Sequence, residues 1–363
     1  MGRALILALG FSLGVAGLGM ADPASGPAVK ADPTIPRPGW TPPKNALGQP
    51  DLSGYWSNAT LTPLTRNLKL TASATLPLAQ ARAVEAAWAA AQEESVKPTD
   101  PSVTTEAYQA KSSEAKLIAI NPVFAAAGGD VGGYNAFWLD PGNSILEVNG
   151  EFRTSILTTP NGQPPARKPG AAPAYGRYRD VYDNPENRSL GERCISSFGR
   201  NAPPPMLPNG FYNNDYYIIQ TPDTVAIQVE LVHDVRIIRL NAQHRTDGVR
   251  PSMGDSIGHY EGSTLVVETT NYPEPDGFLG SWKNLKVTER FTRVSPSRVN
   301  YQFQIEDPDT WDKPWGGEYD FTPMHGVVYE YACHEGNYAL RNILAGARAK
   351  EQAAAHPTTS TER

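Results

Sequence analysis

A segment near the C-terminus, Glu330 to Tyr338, combines residue types that can do chemistry. It holds Cys333, His334 and Glu335, followed by a Gly-Asn pair that can end a strand and begin a helix. A histidine can act as a general acid or base near neutral pH. A disulfide to Cys194 would hold the backbone beside His334 in place. His334 is therefore a candidate catalytic residue and Glu335 a candidate substrate-binding residue; the alternative is that both simply terminate the strand.

A second candidate, His233, lies in the long alternating run Thr224 to Leu240. Alternation places His233 on the apolar face with Leu231 and places Arg236 on the polar face. An imidazole inside a barrel can be an acid, a base or a ligand; the alternative is a hydrogen-bonded core histidine. Arg236 is a candidate substrate-binding residue; the alternative is a surface ion pair that contributes little.

Glu289 shares the apolar face of a predicted strand with Leu285 and Phe291. A carboxylate on such a face must be paired or have a raised pKa, and either condition can serve catalysis. Glu289 is therefore a catalytic candidate. The alternative is a structural ion pair with Arg290 or Arg293.

The glycine-punctuated stretch Gly254 to Gly262 is predicted to be a loop, and it holds Asp255, His259 and Glu261. Functional sites concentrate on loops that a rigid sheet carries. His259 is thus a catalytic candidate, and Asp255 and Glu261 are substrate-binding candidates; the alternative is an ordinary turn. Histidines beside carboxylates can also bind a metal, but no helical or tight-loop ligand spacing occurs, so no metal is predicted.

No nucleotide, flavin, phosphate-loop, H-E-x-x-H or C-x-x-C motif is present, so no cofactor is expected. The candidates favour a cofactor-independent acid–base enzyme, a lyase, isomerase or hydrolase that acts on a small aromatic or sugar-like molecule. The alternatives are a non-catalytic barrel that binds a small apolar ligand and a structural module of the cell envelope. Convergence of His233, Glu289 and either His259 or His334 in one pocket would favour the enzyme.

The N-terminus predicts export. Arg3 precedes the apolar run Ala4 to Leu18 and the small residues Gly19 to Ala21, a pattern typical of a signal peptide cleaved after residue 21. The alternative, a membrane anchor, fits less well because about 15 apolar residues is short for a bilayer span. We expect a periplasmic or secreted protein with no integral membrane segment after cleavage.

The composition limits the classes of partner that we expect this protein to bind. The net charge is −6 without a basic block, which argues against nucleic acid. We expect a small-molecule ligand or substrate, and the sequence leaves the oligomeric state open. The only two cysteines predict a disulfide between Cys194 and Cys333 in an exported chain; the alternative is two separate buried thiols. Closing a loop of this length stabilises the fold by about 5 kcal/mol in the loop-entropy estimate.

The elements that must position these residues are mostly strands. After a flexible Pro-rich lead-in, 22–50, we expect a single domain over 51–354 and a disordered tail over 355–363. Two helices are predicted, Leu78 to Glu94 with Ala81, Val84, Trp88 and Ala91 on its packing face, and Tyr338 to about Ala354. The predicted strands are Asp51 to Trp56, Ser144 to Val148, Phe152 to Thr158, Tyr216 to Gln220, Thr224 to Leu240, Leu265 to Thr269, Leu285 to Val294, Val299 to Ile305 and Val327 to Ala332.

Short turns between alternating strands predict a mainly β fold, an antiparallel up-and-down barrel or a sandwich with strands of lipocalin-like size. Asn149-Gly150 is a strong hairpin signal. The long Pro-rich connection 161–209 carries Cys194 and is expected to be ordered and wrapped over the sheet.

Several stretches together resemble a widespread group of exported bacterial proteins of unknown function. The matching stretches, which cover most of the mature chain, are Asp51 to Trp56, Tyr134 to Trp138, Arg153 to Ser155, Leu190 to Cys194, Tyr217 to Pro222, His233 to Arg236, Gly254 to Thr269 and Cys333 to Tyr338. The group usually has Trp at Tyr260, Asp at Ser263 and an Asp-Gly turn at Asn161-Gly162, so the resemblance assigns no role to these positions. It implies membership of the group and no particular reaction.

Overall fold

The computed structural model describes residues 40–95, 140–174, 182–196, 199–210, 212–324 and 326–356. The expected signal peptide, most of the lead-in, the segment Tyr134 to Trp138 and residues 357–363 lie outside this part. In chain order the elements are β1 (Gly54–Ser57), β2 (Thr75–Leu76), α1 (Leu78–Ser95), β3 (Glu147–Val148), β4 (Glu151–Arg153), β5 (Asp215–Gln220), β6 (Thr224–Val229), β7 (Val235–Leu240), β8 (Asp255–Glu261), β9 (Thr264–Thr270), β10 (Lys286–Ser295), β11 (Arg298–Glu306), β12 (Trp315–Pro323) and α2 (Ala339–Ala355).

Nine of these strands close into a barrel in the order β1, β12, β11, β10, β9, β8, β7, β6 and β5, and β5 pairs again with β1. Every neighbouring pair is antiparallel except β7 and β8, which are parallel. An odd number of strands cannot close with alternating directions alone, so one parallel pair is required. The prediction of a mainly β fold with a barrel and two helices is confirmed.

The two ends of the barrel differ. Tight turns join β5 to β6, β8 to β9 and β10 to β11 at one end. The opposite end, called the loop end below, carries the connections 230–234, 271–285 and 307–314.

Alternation along the strands builds the barrel interior, because every second side chain points inward. The inward side chains with at most 1% exposure include Ile218, Ile227, Ile238, Val267, Val287, Phe291, Tyr301, Ile305, Tyr319 and Phe321. Burying each of these side chains contributes roughly 1.5–3 kcal/mol.

A side lobe, residues 58–95 and 140–163, packs outside the barrel. It contains α1 and a small sheet in the order β2, β4, β3, with β3 and β4 joined at Asn149-Gly150 as predicted. Ala81 of α1 is fully buried, and Val84 and Trp88 pack on a cluster that includes Phe152, which confirms this part of the predicted packing face.

The lobe is joined to the barrel through the first half of β12. Glu318 N donates to Ile156 O at 3.0 Å, and Thr158 N donates to Gly316 O at 3.0 Å. A Cβ on Gly317 would lie 2.7 Å from Ile156 O, so only glycine allows this approach. The lobe therefore occupies the β12 edge that β1, paired only at Thr322 and Pro323, leaves open.

The structure corrects three strand predictions. The run Thr224 to Leu240 is two strands, because Val232 and His233 have φ of 57° and 41° and form a turn. The predicted loop Gly254 to Gly262 is mostly strand β8. Val327 to Ala332 is irregular, and the last strand is β12 instead.

The described segments before β1 and after β12 are attached to this frame. Cys194 and Cys333 form the predicted disulfide. Residues 40–50, expected to be flexible, form a turn that Gln49 connects to the barrel through a 3.0 Å hydrogen bond from Nε2 to Thr221 O. Ala355, assigned to the tail, is the last residue of α2. Among the described residues, no helix has both the length and the apolar character needed to cross a bilayer.

Candidate functional site

A buried ion pair lies inside the barrel. Arg236 on β7 donates from Nη1 to Glu289 Oε1 on β10 at 2.9 Å, and its Nη2 donates to Oε2. The side chains are 1% and 0% exposed. This bidentate geometry is the strongest form of a charge-assisted hydrogen bond.

Neutral side chains complete the pair's hydrogen bonds. Arg236 also donates from Nε to Ser256 Oγ at 3.1 Å and from Nη2 to Thr269 Oγ1 at 3.0 Å. The Tyr301 hydroxyl donates to Glu289 Oε1 at 2.8 Å. Burial lowers the pKa of Arg236, but Glu289 more than offsets this, so the pKa is raised overall. Burial and Glu289 raise the pKa of Tyr301 well above its usual value. The cluster thus holds its protons tightly near neutral pH.

A Pro-rich plug closes the loop end over this cluster. Residues 201–207 are all buried. Met206 N donates to Tyr301 Oη at 2.9 Å, and Tyr319 Oη donates to Met206 O at 2.9 Å. Arg200 donates to Pro204 O within the plug and, at 3.0 Å, to Asp276 O in connection 271–285. The long connection expected to wrap over the sheet therefore enters the barrel, and it occupies the space beside the ion pair.

Two predicted residues have surroundings other than those expected. Glu289 lies on the buried face as predicted, but its partner is Arg236 and neither Arg290 nor Arg293. The prediction that His233 points inward and Arg236 outward is wrong. The turn at 231–233 reverses the alternation, so Arg236 points into the barrel and His233 lies exposed in the turn.

The remaining histidine candidates lie on the outside. His259 on β8 is 53% exposed, and its Nε2 lies 3.1 Å from Glu261 Oε1. Glu261 also accepts from Arg290 Nη1 at 2.8 Å. His334 and Glu335 are exposed in the irregular segment after the disulfide. Because Glu289 is inside and these residues are outside, the predicted candidates do not converge in one pocket.

Asp255 lies among hydrogen-bond donors of the protein at the start of β8. It is 4% exposed, and it accepts from Arg239 Nη2 at 2.7 Å and from Arg245 N at 2.8 Å. His244, which sequence reasoning missed, lies 3.0 Å from Asp255 Oδ2 through Nδ1 and 3.2 Å from Glu268 Oε1 through Nε2. Burial raises the pKa of Asp255, but these donors lower it overall. These contacts hold the connection 241–254 against the outer wall of the barrel.

Sequence reasoning also missed that residues 254–258 match the spacing G-x-S-x-G of a hydrolase nucleophile elbow. That motif requires a sharp turn between a strand and a helix, with the serine exposed. Here Ser256 lies within β8, is 3% exposed and bonds to Arg236 and Thr269. The match has no nucleophile geometry.

Two carboxyl groups near the loop end titrate unusually. Burial raises the pKa of Glu230 to about 7, with a further contribution from Asp215. Burial and the nearby Asp140 raise the pKa of Asp215 to about 6. No lysine or arginine of the described chain forms an ion pair with Glu230 or Asp215. The described residues also contain no group of three or more His, Cys, Asp and Glu arranged to hold a metal ion.

An open cavity of about 470 Å³ lies in the side lobe, between α1 and the segment that leads to β2. Its walls are formed by Asn67, Leu70, Thr71, Leu76, Gln80, Ala83, Val84 and Thr154. Behind Thr154 lies Arg66, whose Nε donates to Thr154 Oγ1 at 3.0 Å. Sequence reasoning missed this cavity, because its walls come from loop and helix positions that share no periodic pattern.

Comparison with known proteins found no family model, no curated protein and no solved structure that matches this chain.

Proposed function

We propose that this chain is an exported binding protein that holds a small molecule in the cavity of its side lobe. The cavity itself carries the proposal. Its volume of about 470 Å³ falls within the range of about 300–1,000 Å³ that is common for small-molecule sites. Four of its walls are apolar and four are polar, a mixture that can bury an apolar body and orient it.

Two observations favour this cavity over the barrel interior. The plug occupies the loop end, where a ligand would enter. The hydrogen bonds of Arg236 and Glu289 are made to each other and to neighbouring side chains such as Ser256 and Thr269. A ligand inside the barrel would have to displace both, whereas the lobe cavity is already open.

The acid–base enzyme receives less support. It depended on convergence of His233, Glu289 and either His259 or His334. Glu289 is enclosed in the barrel and both His259 and His334 are exposed. Binding therefore fits the described residues better than catalysis by these groups.

Export remains part of the proposal, as does membership of the group of exported bacterial proteins. The disulfide between Cys194 and Cys333 is compatible with an oxidising compartment such as the periplasm or the extracellular medium. The N-terminal sequence supplies the signal-peptide pattern.

Nile red, a neutral dye that fluoresces in apolar surroundings, tests the proposal on the mature chain. We expect saturable binding to the wild type and a loss of about tenfold or more in affinity for Ala83→Trp, which fills the cavity. Ala89→Trp, at an exposed position of α1 outside the cavity walls, is the matched control and should bind like the wild type. Saturable binding that Ala83→Trp leaves unchanged would contradict this location.

A further inference from the structure

We infer that the lobe cavity takes an apolar molecule with a carboxylate at one end, and that Arg66 recognises this carboxylate. The inference rests on the proposed binding function and adds the chemical class of the ligand.

Arg66 is a buried cation that has no carboxylate partner among the described residues. Of the four buried arginines in the described chain, Arg153, Arg188 and Arg236 each form an ion pair with a carboxylate, those of Glu318, Glu192 and Glu289. Arg66 is 4% exposed and forms no ion pair with any described residue. Burial lowers its pKa, and no acid acts in the opposite direction. A guanidinium stays charged nonetheless, so the positive charge is uncompensated.

The donors of Arg66 are used unequally. Nε donates to Thr154 Oγ1 at 3.0 Å, and Nη1 donates to Ala72 O at 3.2 Å and to Pro160 O at 3.1 Å. Within the described residues, Nη2 has no hydrogen-bond partner. Neutral oxygens thus fix the orientation of the guanidinium without balancing its charge.

The unused donor lies on the side of the guanidinium that faces Thr154. In a planar guanidinium, one N–H of Nη2 is parallel to the N–H of Nε, and together they form the fork that grips a carboxylate. Because Nε–H points at Thr154 Oγ1, the parallel Nη2–H points past the same residue. Thr154 is a wall of the cavity. An anion seated beside Thr154 would therefore meet the unused donor.

The cavity and the charge together define the ligand. Leu70, Leu76 and Val84 offer apolar surface for a body, and Asn67 and Thr71 add hydrogen-bonding groups. One guanidinium balances one negative charge, which favours a monocarboxylate over a dianionic phosphate. A medium-chain fatty acid such as decanoate has this combination of head and body.

The test compares decanoate with decanol as competitors of Nile red at pH 7.5, because the two differ only in the head group. We expect decanoate to compete about tenfold better on the wild type, as a charge-assisted hydrogen bond implies. Arg66→Met should remove this preference and leave decanol unchanged, and Arg66→Lys should keep part of it. Lys69→Met, which removes an exposed cation of the same segment, should keep the full preference.

Each outcome is decisive. Equal competition by decanoate and decanol on the wild type overturns the inference, whether or not Arg66→Met folds. Saturable Nile red binding in the same experiment would show that the proposed binding function survives. If Lys69→Met abolishes the preference as well, general surface charge and not Arg66 selects the anion.

Discussion

Two buried arginines, one in the barrel and one in the side lobe, handle their charge in opposite ways. Arg236 lies 1% exposed against Glu289, and each of its three nitrogens donates to an acceptor that the protein supplies. Arg66 lies 4% exposed among neutral oxygens, with no carboxylate among the described residues. The barrel site is chemically closed, whereas the lobe site lacks an opposite charge. The difference explains why the more conspicuous cluster is the weaker binding candidate.

In a third region, a buried acid and a half-buried acid also lack a partner cation among the described residues. Glu230 and Asp215 form no ion pair with a described lysine or arginine, and burial raises their pKa to about 7 and about 6. A carboxyl group can thus become neutral by binding a proton. A guanidinium has no such option because it does not lose its proton in proteins. Arg66 must therefore remain charged, and an anionic ligand would balance that charge.

Breaking the barrel pair should have the largest effect. Removing one member leaves a buried charge unpaired, so Arg236→Met or Glu289→Gln should each lower the free energy of unfolding by about 3–5 kcal/mol. Replacing both members, by Arg236→Met with Glu289→Leu, should recover a large part of that loss. Urea denaturation followed by tryptophan fluorescence measures all three.

Arg290→Met is the control for the barrel pair, because Arg290 pairs with Glu261 on the outer wall. An exposed pair contributes at most about 1 kcal/mol, so the loss should be small. Single losses below about 1 kcal/mol for Arg236→Met and Glu289→Gln would show that the barrel pair is not enclosed as described.

The acids near the loop end should produce a smaller effect that depends on pH. The pKa of Glu230 is about 7 in the folded chain against an ordinary value of 4.5. The folded state therefore holds a proton that the unfolded state has lost, and stability falls as the pH rises from 4.5 to 7. Glu230→Gln removes this penalty and should be more stable than the wild type at pH 8 by on the order of 1–3 kcal/mol.

The gain from Glu230→Gln should vanish at about pH 4, where both states of the wild type carry the proton. Urea denaturation across this pH range gives the profile. Glu335→Gln, at an exposed position, should change stability by less than about 0.5 kcal/mol throughout. A wild-type stability that rises between pH 4.5 and 7 in step with Glu230 would mean that a cation pairs with it.

The alternation of apolar and polar residues predicted much of the barrel, because every second side chain of a strand points into the core. Glu289 was placed correctly for that reason. The same logic failed at His233, since a single turn with positive φ reverses the alternation of every residue after it. The apolar pattern contains no signal for that turn, so Arg236 was placed on the wrong face.

Two strands of the barrel, β8 and β12, were missed for different physical reasons. β8 contains Gly258, where a Cβ would lie 2.9 Å from Ile238 Cγ2, so the glycine serves packing and not a loop. β12 has polar residues such as Glu318 beneath the lobe, so it shows no solvent-facing alternation. The lobe cavity depends on contacts between distant segments and could not be derived from any local pattern.

Removing the lobe charge should have the smallest effect on stability and provides the most direct test of the comparison. Arg66→Met gives up hydrogen bonds to neutral oxygens but also relieves the cost of an uncompensated buried charge. We expect a net change of about 1 kcal/mol or less in the free energy of unfolding, well below the loss for Arg236→Met. Urea denaturation without added ligand measures it. A loss as large as that of Arg236→Met would mean that the protein itself already satisfies Arg66, and the reason to expect an external carboxylate would disappear.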